Sequence, residues 1–169
     1  YCYWNFIKSC NDIISIVVEP ETDNMKAYLA YAKANRAALY LDLARGFDPL
    51  ENNYTDVSAV KGLTVPKITE TTTEAEARNN PRLTRQEIFD FIFEDLDHAE
   101  ELLTGNSHTA GKDVPSLAVV YRLKARAYLW LGQFDENYKN VKTGEEAYKE
   151  AAKYARKAIE ASGKTPLTA

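Results

Sequence analysis

The stretch VYRLKARAYLWLGQF, residues 120–134, is the clearest indication of the fold class of this 169-residue chain. Tyr121, Ala125 and Tyr128 recur every three to four residues, a spacing that places them on one face of a helix. Gly132 interrupts the pattern and predicts the end of that helix. The stretch therefore predicts an amphipathic helix that runs into a turn.

A second helix with regularly spaced small residues follows in EAAKYARKAIEASG, residues 150–163, at Ala151, Ala155 and Ala158. This order of aromatic and small positions is typical of a tetratricopeptide helix pair, although the link is about 14 residues longer than usual. The alternative is an unrelated helical hairpin that uses alanines for close packing. Both interpretations predict two antiparallel helices in contact.

Helical periodicity and capping residues predict three further helices, and almost no strand pattern is present. Asp23 is the predicted N-cap of the second helix, and Gly46 is its predicted end. Thr84 and Glu87 form a capping-box sequence at the start of the third. The five predicted helices cover residues 1–18, 24–46, 84–103, 115–132 and 145–162. The predicted class is all-α, with antiparallel helix pairs of an α-α superhelix across residues 1–169.

The connection formed by residues 47–83 is unusually long, because links between packed helices mostly run about 2 to 8 residues. It is rich in Thr, Asn and Pro. We expect an ordered excursion across one face of the helices or a functional loop. The segment DENYKNVKTG, residues 135–144, is predicted to be a second, smaller insertion.

Composition excludes several classes of protein. Apolar residues make up 45% of the chain and the net charge is −4, which is typical of a globular domain and gives no sign of a nucleic-acid partner. No apolar run approaches the ~18 residues of a membrane-spanning helix. Cys2 and Cys10 would lie about 12 Å apart along one helix, too far for a disulfide.

No pattern of catalytic or metal-binding residues emerges. The acidic stretch FEDLDHAEE, residues 93–101, places Asp95 and His98 at i, i+3, but helical metal sites repeat this motif and add further carboxylates. We expect a solvated helix face there, except that Asp95 points nearer the buried stripe and can instead bond to a neighbouring helix. The sequence has no G-x-S-x-G elbow and no phosphate-binding glycine loop. It therefore predicts no enzyme activity, no metal and no cofactor.

Four stretches, in order along the chain, resemble signatures of the SusD/RagB family of outer-membrane nutrient-binding lipoproteins. The match is specific because all four occur together and span nearly the whole chain. One departure concerns Asp48, which follows Phe47 where the family usually has glycine. The stretches are YWNFIKSCNDII (residues 3–14), RAALYLDLARGFDPL (36–50), PRLTRQEIFDFIFEDLDHAEELL (81–103) and AVVYRLKARAYLWLGQF with the helix that follows it (118–163).

The resemblance implies a non-catalytic protein at the cell surface. Such a protein binds oligosaccharides, or in some members peptides, and delivers them to a SusC-like TonB-dependent transporter in the outer membrane. The helices would then be a scaffold and a transporter-facing surface. Family members are much longer and carry a lipid anchor. We therefore expect this chain to be a fragment, with membrane contact only through an anchor absent from these residues.

Ligand contact is predicted mainly in the long connection, because amides, carboxylates and aromatic rings there can bond sugar hydroxyls and stack on sugar faces. The predicted ligand-binding residues are Asn52, Asn53, Tyr54 and Asp56, together with Tyr3 on the first helix. A second hypothesis is a free-standing helical-repeat adaptor that binds a partner protein or peptide in a groove.

Overall fold

The computed structural model of the chain describes residues 2–108, 111 and 113–165, and it confirms the all-α prediction. The described residues form no β-strand, and one isolated antiparallel bridge joins Leu63 to Thr84. The helices are α1 Cys2–Ile16, α2 Asp23–Phe47, α3 Glu74–Arg78, α4 Arg85–Leu103, α5 Leu117–Leu131 and α6 Gly144–Ser162.

The helices pack as antiparallel neighbours. Between α1 and α2, Asn11 contacts Arg36 and Trp4 contacts Tyr40, so the residue numbers run in opposite directions. The pair of α2 and α4 shows the same order. In α5 and α6, Tyr128 stacks on Tyr154 with ring centroids 5.8 Å apart and Lys157 lies over the Tyr121 ring, so the residue numbers again run in opposite directions. The predicted antiparallel helix pair therefore forms.

Helix α2 lies at the centre of the molecule and packs against α1, α4 and α5. Its alanines allow this, because small side chains let the neighbouring helices approach closely. Ala30, Ala34, Ala37 and Ala44 are all 1% exposed or less. Helix α4 contributes more large side chains to the core than any other helix, among them the fully buried Phe89, Ile92 and Leu96.

Several predicted helix boundaries differ from the structure by one or two residues; the start of α5, for example, is Leu117 and not residue 115. Thr22, not Asp23, is the N-cap of α2, since its hydroxyl accepts a hydrogen bond from the Met25 N–H. Helix α2 continues through Gly46, because the Asp48 N–H still donates to the Ala44 carbonyl. Helix α1 ends at Ile16, so Val18 lies outside it and is 75% exposed. The predicted start at Tyr1 lies outside the described residues.

The prediction of which α6 residues pack against α5 is only partly correct. Ala147 and Ala151 are buried against α5, whereas Tyr148 and Ile159 are each 45% exposed. Ala155 is exposed as well. Periodicity identifies the apolar side of a helix, but exposure depends on the presence of a neighbour, and among the described residues α6 has a neighbour on one side only.

The long connection is ordered and has three parts. Residues 48–63 form an outward loop, residues 64–70 run along α2, and α3 precedes the return to α4. The extended part is tied to the core through Val65, which is buried, and Ile68, whose backbone bonds to the Tyr40 hydroxyl. Helix α3 was missed by the sequence analysis because it has only five residues and none is buried, so it carries no apolar period.

The capping box at Thr84 is confirmed and gives a testable prediction. Its hydroxyl accepts from the Glu87 N–H while the Glu87 carboxylate accepts from the Thr84 N–H at 2.8 Å. We expect Thr84→Ala to lower the free energy of unfolding by about 1 kcal/mol, as measured by urea denaturation.

Thr73→Ala is the matched control, since Thr73 makes the same capping box on the short, unburied helix α3. A cap contributes to global stability only through the helix that it stabilises. We therefore expect Thr73→Ala to cost clearly less than Thr84→Ala, and equal costs would contradict this account.

Candidate functional site

The residues of the 48–63 loop line a small cavity of about 490 Å³ that is open to solvent. Its lining is mostly polar and comprises Glu51, Asn52, Asn53, Thr55, Asp56, Val57, Ser58 and Lys61. Three of the five predicted ligand residues thus share one cavity. The structure adds Glu51 and Lys61, which the sequence analysis did not single out; these two form an ion pair across the loop at 2.6 Å.

Two of the predicted residues shape the loop. The Asn52 side-chain oxygen accepts hydrogen bonds from the backbone N–H groups of Tyr54 and Thr55, at 2.9 and 3.0 Å. The Asp56 carboxylate accepts from the Ser58 N–H at 2.9 Å, and the bonds from Ser58 lower the pKa of Asp56. Side-chain bonds of this kind are characteristic of turns. Asn52 and Asp56 therefore fix the backbone on which their neighbours are presented.

Tyr54 projects from the tip of this loop and is 96% exposed. Its ring does not line the cavity but lies next to Asn53 and Thr55 in the chain, both of which do. An exposed aromatic ring beside amide and hydroxyl groups suits a sugar, whose C–H face packs on the ring while its hydroxyls form hydrogen bonds. The residue types predicted for stacking and hydrogen bonding are therefore neighbours in the structure, and their contact with ligand stays a prediction.

Tyr3 lies elsewhere, on α1, and is 40% exposed. It is not among the residues that line the loop cavity. The structure thus does not unite Tyr3 with the loop residues in one cavity, and its contact with ligand stays a prediction.

The acidic stretch of α4 binds two buried cations, so the prediction of a solvated face is wrong for Asp97 and Glu100, whereas the predicted bond from Asp95 to a neighbouring helix forms. Asp95 is 1% exposed and binds Arg36 through two hydrogen bonds, at 2.7 and 2.9 Å. Asp97 and Glu100 both bind the ammonium of Lys124, which is 2% exposed. These contacts hold α4 against α2 and α5.

Among the described residues, His98 is not part of a metal-binding cluster. Burial, followed by the nearby ammonium of Lys33, lowers the pKa of His98 below its ordinary value. Within residues 2–108, 111 and 113–165, no group of three His, Cys, Asp or Glu side chains is placed to hold a metal ion.

Two larger concavities are apolar. One, of about 750 Å³, lies between α1 and α2, and the other, of about 710 Å³, lies between α5 and α6. Aliphatic and aromatic side chains dominate both linings, as Ile13 and Tyr28 do in the first and Leu129 and Ala155 in the second. Such surfaces suit helix packing better than recognition of sugar hydroxyls. No helix within the described ranges is long and apolar enough to span a membrane.

Comparison with solved structures identifies the fold. The chain is similar to a SusD-like carbohydrate-binding protein from Bacteroides vulgatus, with a TM-score of 0.72, 20% identity, and coverage of 98% of this chain and 31% of that one. A SusD superfamily protein from Bacteroides thetaiotaomicron matches with a TM-score of 0.69, 18% identity, and coverage of 98% and 32%. A protein crystallised with a xylogluco-oligosaccharide matches with a TM-score of 0.66, 19% identity, and coverage of 98% and 29%.

These likenesses confirm the predicted resemblance at the level of the fold. The chain spans about a third of the length of the solved structures that it matches. A scan against protein-family models and a search of curated proteins give no match. The chain has the helical fold found in SusD-like carbohydrate-binding proteins.

Proposed function

From this shared fold, we propose that the protein binds oligosaccharides at the 48–63 loop and does not turn them over. The observation that carries the proposal is the position of Tyr54, almost fully exposed beside the polar cavity that Asn53 and Thr55 line. The helices, with their buried ion pairs, form the scaffold that holds this loop.

The charges of the cavity favour an uncharged glycan. Glu51 is neutralised by Lys61, whereas Asp56 has no ammonium or guanidinium partner in the described part of the chain. Since the bonds from Ser58 lower the pKa of Asp56, its carboxylate is ionised at neutral pH. A ligand with carboxylates of its own, such as a uronic-acid oligomer, would be repelled.

The further steps of the proposal follow from the family resemblance. Bound glycan is delivered to a SusC-like TonB-dependent transporter, and the full-length protein lies at the outer surface of the outer membrane, held by a lipid anchor. Co-purification of the full-length protein with such a transporter from solubilised outer membranes tests this step. Recovery of the protein without any transporter would contradict it.

The alternative function is a helical-repeat adaptor for a partner protein or peptide. The open apolar concavities along α1/α2 and α5/α6 favour it, because grooves of this kind accept amphipathic helices. Peptide binding that is abolished by filling one of these grooves, together with an absence of glycan binding, would support the adaptor over the glycan-binding protein.

Calorimetric titration with maltoheptaose, a xylogluco-oligosaccharide and an oligogalacturonate tests the central proposal. We expect binding of at least one of the two neutral glycans, weaker binding of the acidic one, and unchanged glycan chains after prolonged incubation. The absence of binding to all three, or the appearance of shortened products, would contradict it.

Tyr54→Ala is expected to weaken binding of the neutral glycan roughly three- to tenfold, the effect of losing one aromatic contact. Tyr54→Phe is the matched variant, because it keeps the ring and removes only the hydroxyl, and we expect it to retain most of the affinity. Tyr3→Ala, measured in the same titration, tests the predicted contact on α1. Equal affinity of wild type and Tyr54→Ala would exclude stacking on this ring.

A further inference from the structure

Both ends of the 48–63 loop are held by one guanidinium. Arg82 Nη2 donates to the carbonyl oxygens of Phe47 and Leu63, each at 2.7 Å, and its Nε donates to the Thr64 carbonyl at 2.6 Å. Phe47 is the last residue of α2, and Leu63 is the last residue of the loop. A single side chain therefore joins the point where the chain leaves the helices to the point where it returns.

Arg85 holds the same two ends from the buried side. Its guanidinium binds the Asp48 carboxylate through two hydrogen bonds, at 2.5 and 3.1 Å, and both side chains are at most 3% exposed. Its backbone N–H donates to the Gly62 carbonyl at 2.7 Å. Gly62 has a φ of +74°, a conformation that favours glycine, so the turn leading back to Arg85 depends on this residue.

Arg85 also ties the loop to the rest of the scaffold. Its Nη1 donates to the Glu136 carboxylate at 2.5 Å and to the Tyr138 hydroxyl at 3.2 Å, both in the segment between α5 and α6. The guanidinium lies over the Phe134 ring, 3.6 Å from its centroid. The orientation of Arg85, and with it the position of Asp48, is thus fixed from three directions.

These contacts make the loop compact and hold its two ends together. Inside it, Asn52 and Asp56 organise the turns and the Glu51–Lys61 ion pair crosses from one side to the other. A loop that is ordered before it binds loses less conformational entropy on binding. Without its closure, the loop would sample many conformations in which Asn53 and Tyr54 are not presented together.

We propose that Arg82 and Arg85, which we call the arginine clamp, are positioning residues that hold the 48–63 loop closed and thereby set its affinity for glycan. The second part of this inference rests on the proposed function. Neither arginine lines the cavity. The clamp acts through the loop backbone and the Asp48 carboxylate.

The clamp brings together two stretches that are far apart in the sequence. Phe47 and Asp48 belong to RAALYLDLARGFDPL, and both arginines belong to PRLTRQEIFDFIFEDLDHAEELL. Asp48 stands where the SusD/RagB signature usually has glycine. In this chain the carboxylate at that position is the partner of Arg85, so the departure from the signature supplies half of a buried ion pair.

Hydrogen–deuterium exchange of Arg82→Ala tests the closure itself. We expect the amides of residues 50–63 to exchange about tenfold faster or more, since charge-assisted bonds to three carbonyls are lost, while α4, α5 and α6 keep their protection. Arg78→Ala is the matched control. Arg78 lies in the same connection and is largely exposed, and within the described part of the chain its one partner is Glu74 on its own helix, so its removal should leave the loop unchanged.

Titration of the same variants with the neutral glycan bound best by wild type tests the consequence for affinity. We expect Arg82→Ala to bind about tenfold more weakly and Arg82→Lys to lie between it and wild type, because an ammonium can bond some of the three carbonyls. A general loss of stability would instead raise exchange throughout the helices. If Arg82→Ala does not fold, the same exchange and titration measurements on Arg82→Lys, which keeps the charge, test the proposal.

The outcomes separate the two proposals. If wild type binds no glycan, the proposed function and the clamp's role in affinity both fail, and exchange alone decides whether the clamp closes the loop. Unchanged loop exchange in Arg82→Ala overturns the closure. Faster loop exchange with unaltered glycan affinity overturns the positioning role, since the loop would then bind equally well without being held.

Discussion

Asp95→Ala is expected to lower the free energy of unfolding by about 3 to 5 kcal/mol, the largest effect of any single substitution considered for this protein. Asp95 is 1% exposed and is the carboxylate that binds Arg36, which is itself 2% exposed. It also accepts a hydrogen bond from Lys33 at 3.1 Å. Its removal leaves Nε and Nη2 of a buried guanidinium without acceptors, and Glu70 is then the one carboxylate still bonded to Arg36 among the described residues. The lost bidentate pair and the two unsatisfied donors are the source of the cost.

The remaining partners of Arg36 cannot replace this carboxylate. Asn11 is uncharged, and its side-chain oxygen accepts a hydrogen bond from Nη1 of Arg36 at 2.8 Å. The carboxylate of Glu70, in the long connection, accepts from the same nitrogen at 2.5 Å. Burial by itself would raise the pKa of Glu70, but the hydrogen bonds it accepts and the charge of Arg36 leave that pKa below its ordinary value. Nε and Nη2 of Arg36 would both lose their acceptors.

Urea denaturation at neutral pH measures the loss, with Glu94→Ala as the matched control. Glu94 is the preceding residue of α4 and is exposed, so its removal should change the free energy of unfolding by no more than about 0.5 kcal/mol. A loss below about 1 kcal/mol for Asp95→Ala would show that water or a shifted side chain satisfies Arg36, and would contradict this account of the core.

Tyr40→Phe is expected to cost about 1 to 3 kcal/mol although it removes a single oxygen. Tyr40 is fully buried, and its hydroxyl accepts from the Ile68 N–H at 2.8 Å and donates to the Ile68 carbonyl at 3.0 Å. The carbonyl keeps a second donor in the Asn11 side chain, but the N–H loses its partner. Burial raises the pKa of Tyr40 to about 12, so the hydroxyl stays protonated at neutral pH.

Tyr31→Phe is the matched control for this substitution. Tyr31 lies on the same helix and is 6% exposed, and its hydroxyl is buried with no hydrogen-bond partner among the described residues. Removing an unpaired buried hydroxyl should be neutral or slightly stabilising. If urea denaturation gives the same cost for both substitutions, the Ile68 bonds are not the reason for the effect of Tyr40→Phe. Faster amide exchange at Ile68 in Tyr40→Phe would identify the bond directly.

The candidate site could be predicted only as a set of residue types. Asn52, Asn53, Tyr54 and Asp56 were predicted as ligand residues because amides, carboxylates and an aromatic ring cluster in a segment too long for a plain connection. That Asn52 and Asp56 mainly stabilise turns, and that Glu51 and Lys61 join the lining, depends on backbone dihedral angles that residue types do not specify.

The five longer helices could be predicted from the sequence alone, because helix formation depends on local periods and caps that neighbouring residues set. Two such local patterns are the tyrosine and alanine spacing of residues 120–134 and the capping box at Thr84. Each involves residues that are close together in the sequence. The resemblance to SusD/RagB signatures is likewise a linear pattern, and it indicated the fold that the solved structures share.

The tertiary structure was needed to show which polar residues pack in the core and which stay exposed. Arg36 and Asp95 are separated by 59 residues, and Asp48 and Arg85 by 37, so no local pattern could reveal either pair. The free energy of a buried charge depends on the partner that three-dimensional packing brings to it. For the same reason, the acidic face of α4 became part of the scaffold, and the 48–63 loop kept the exposed tyrosine.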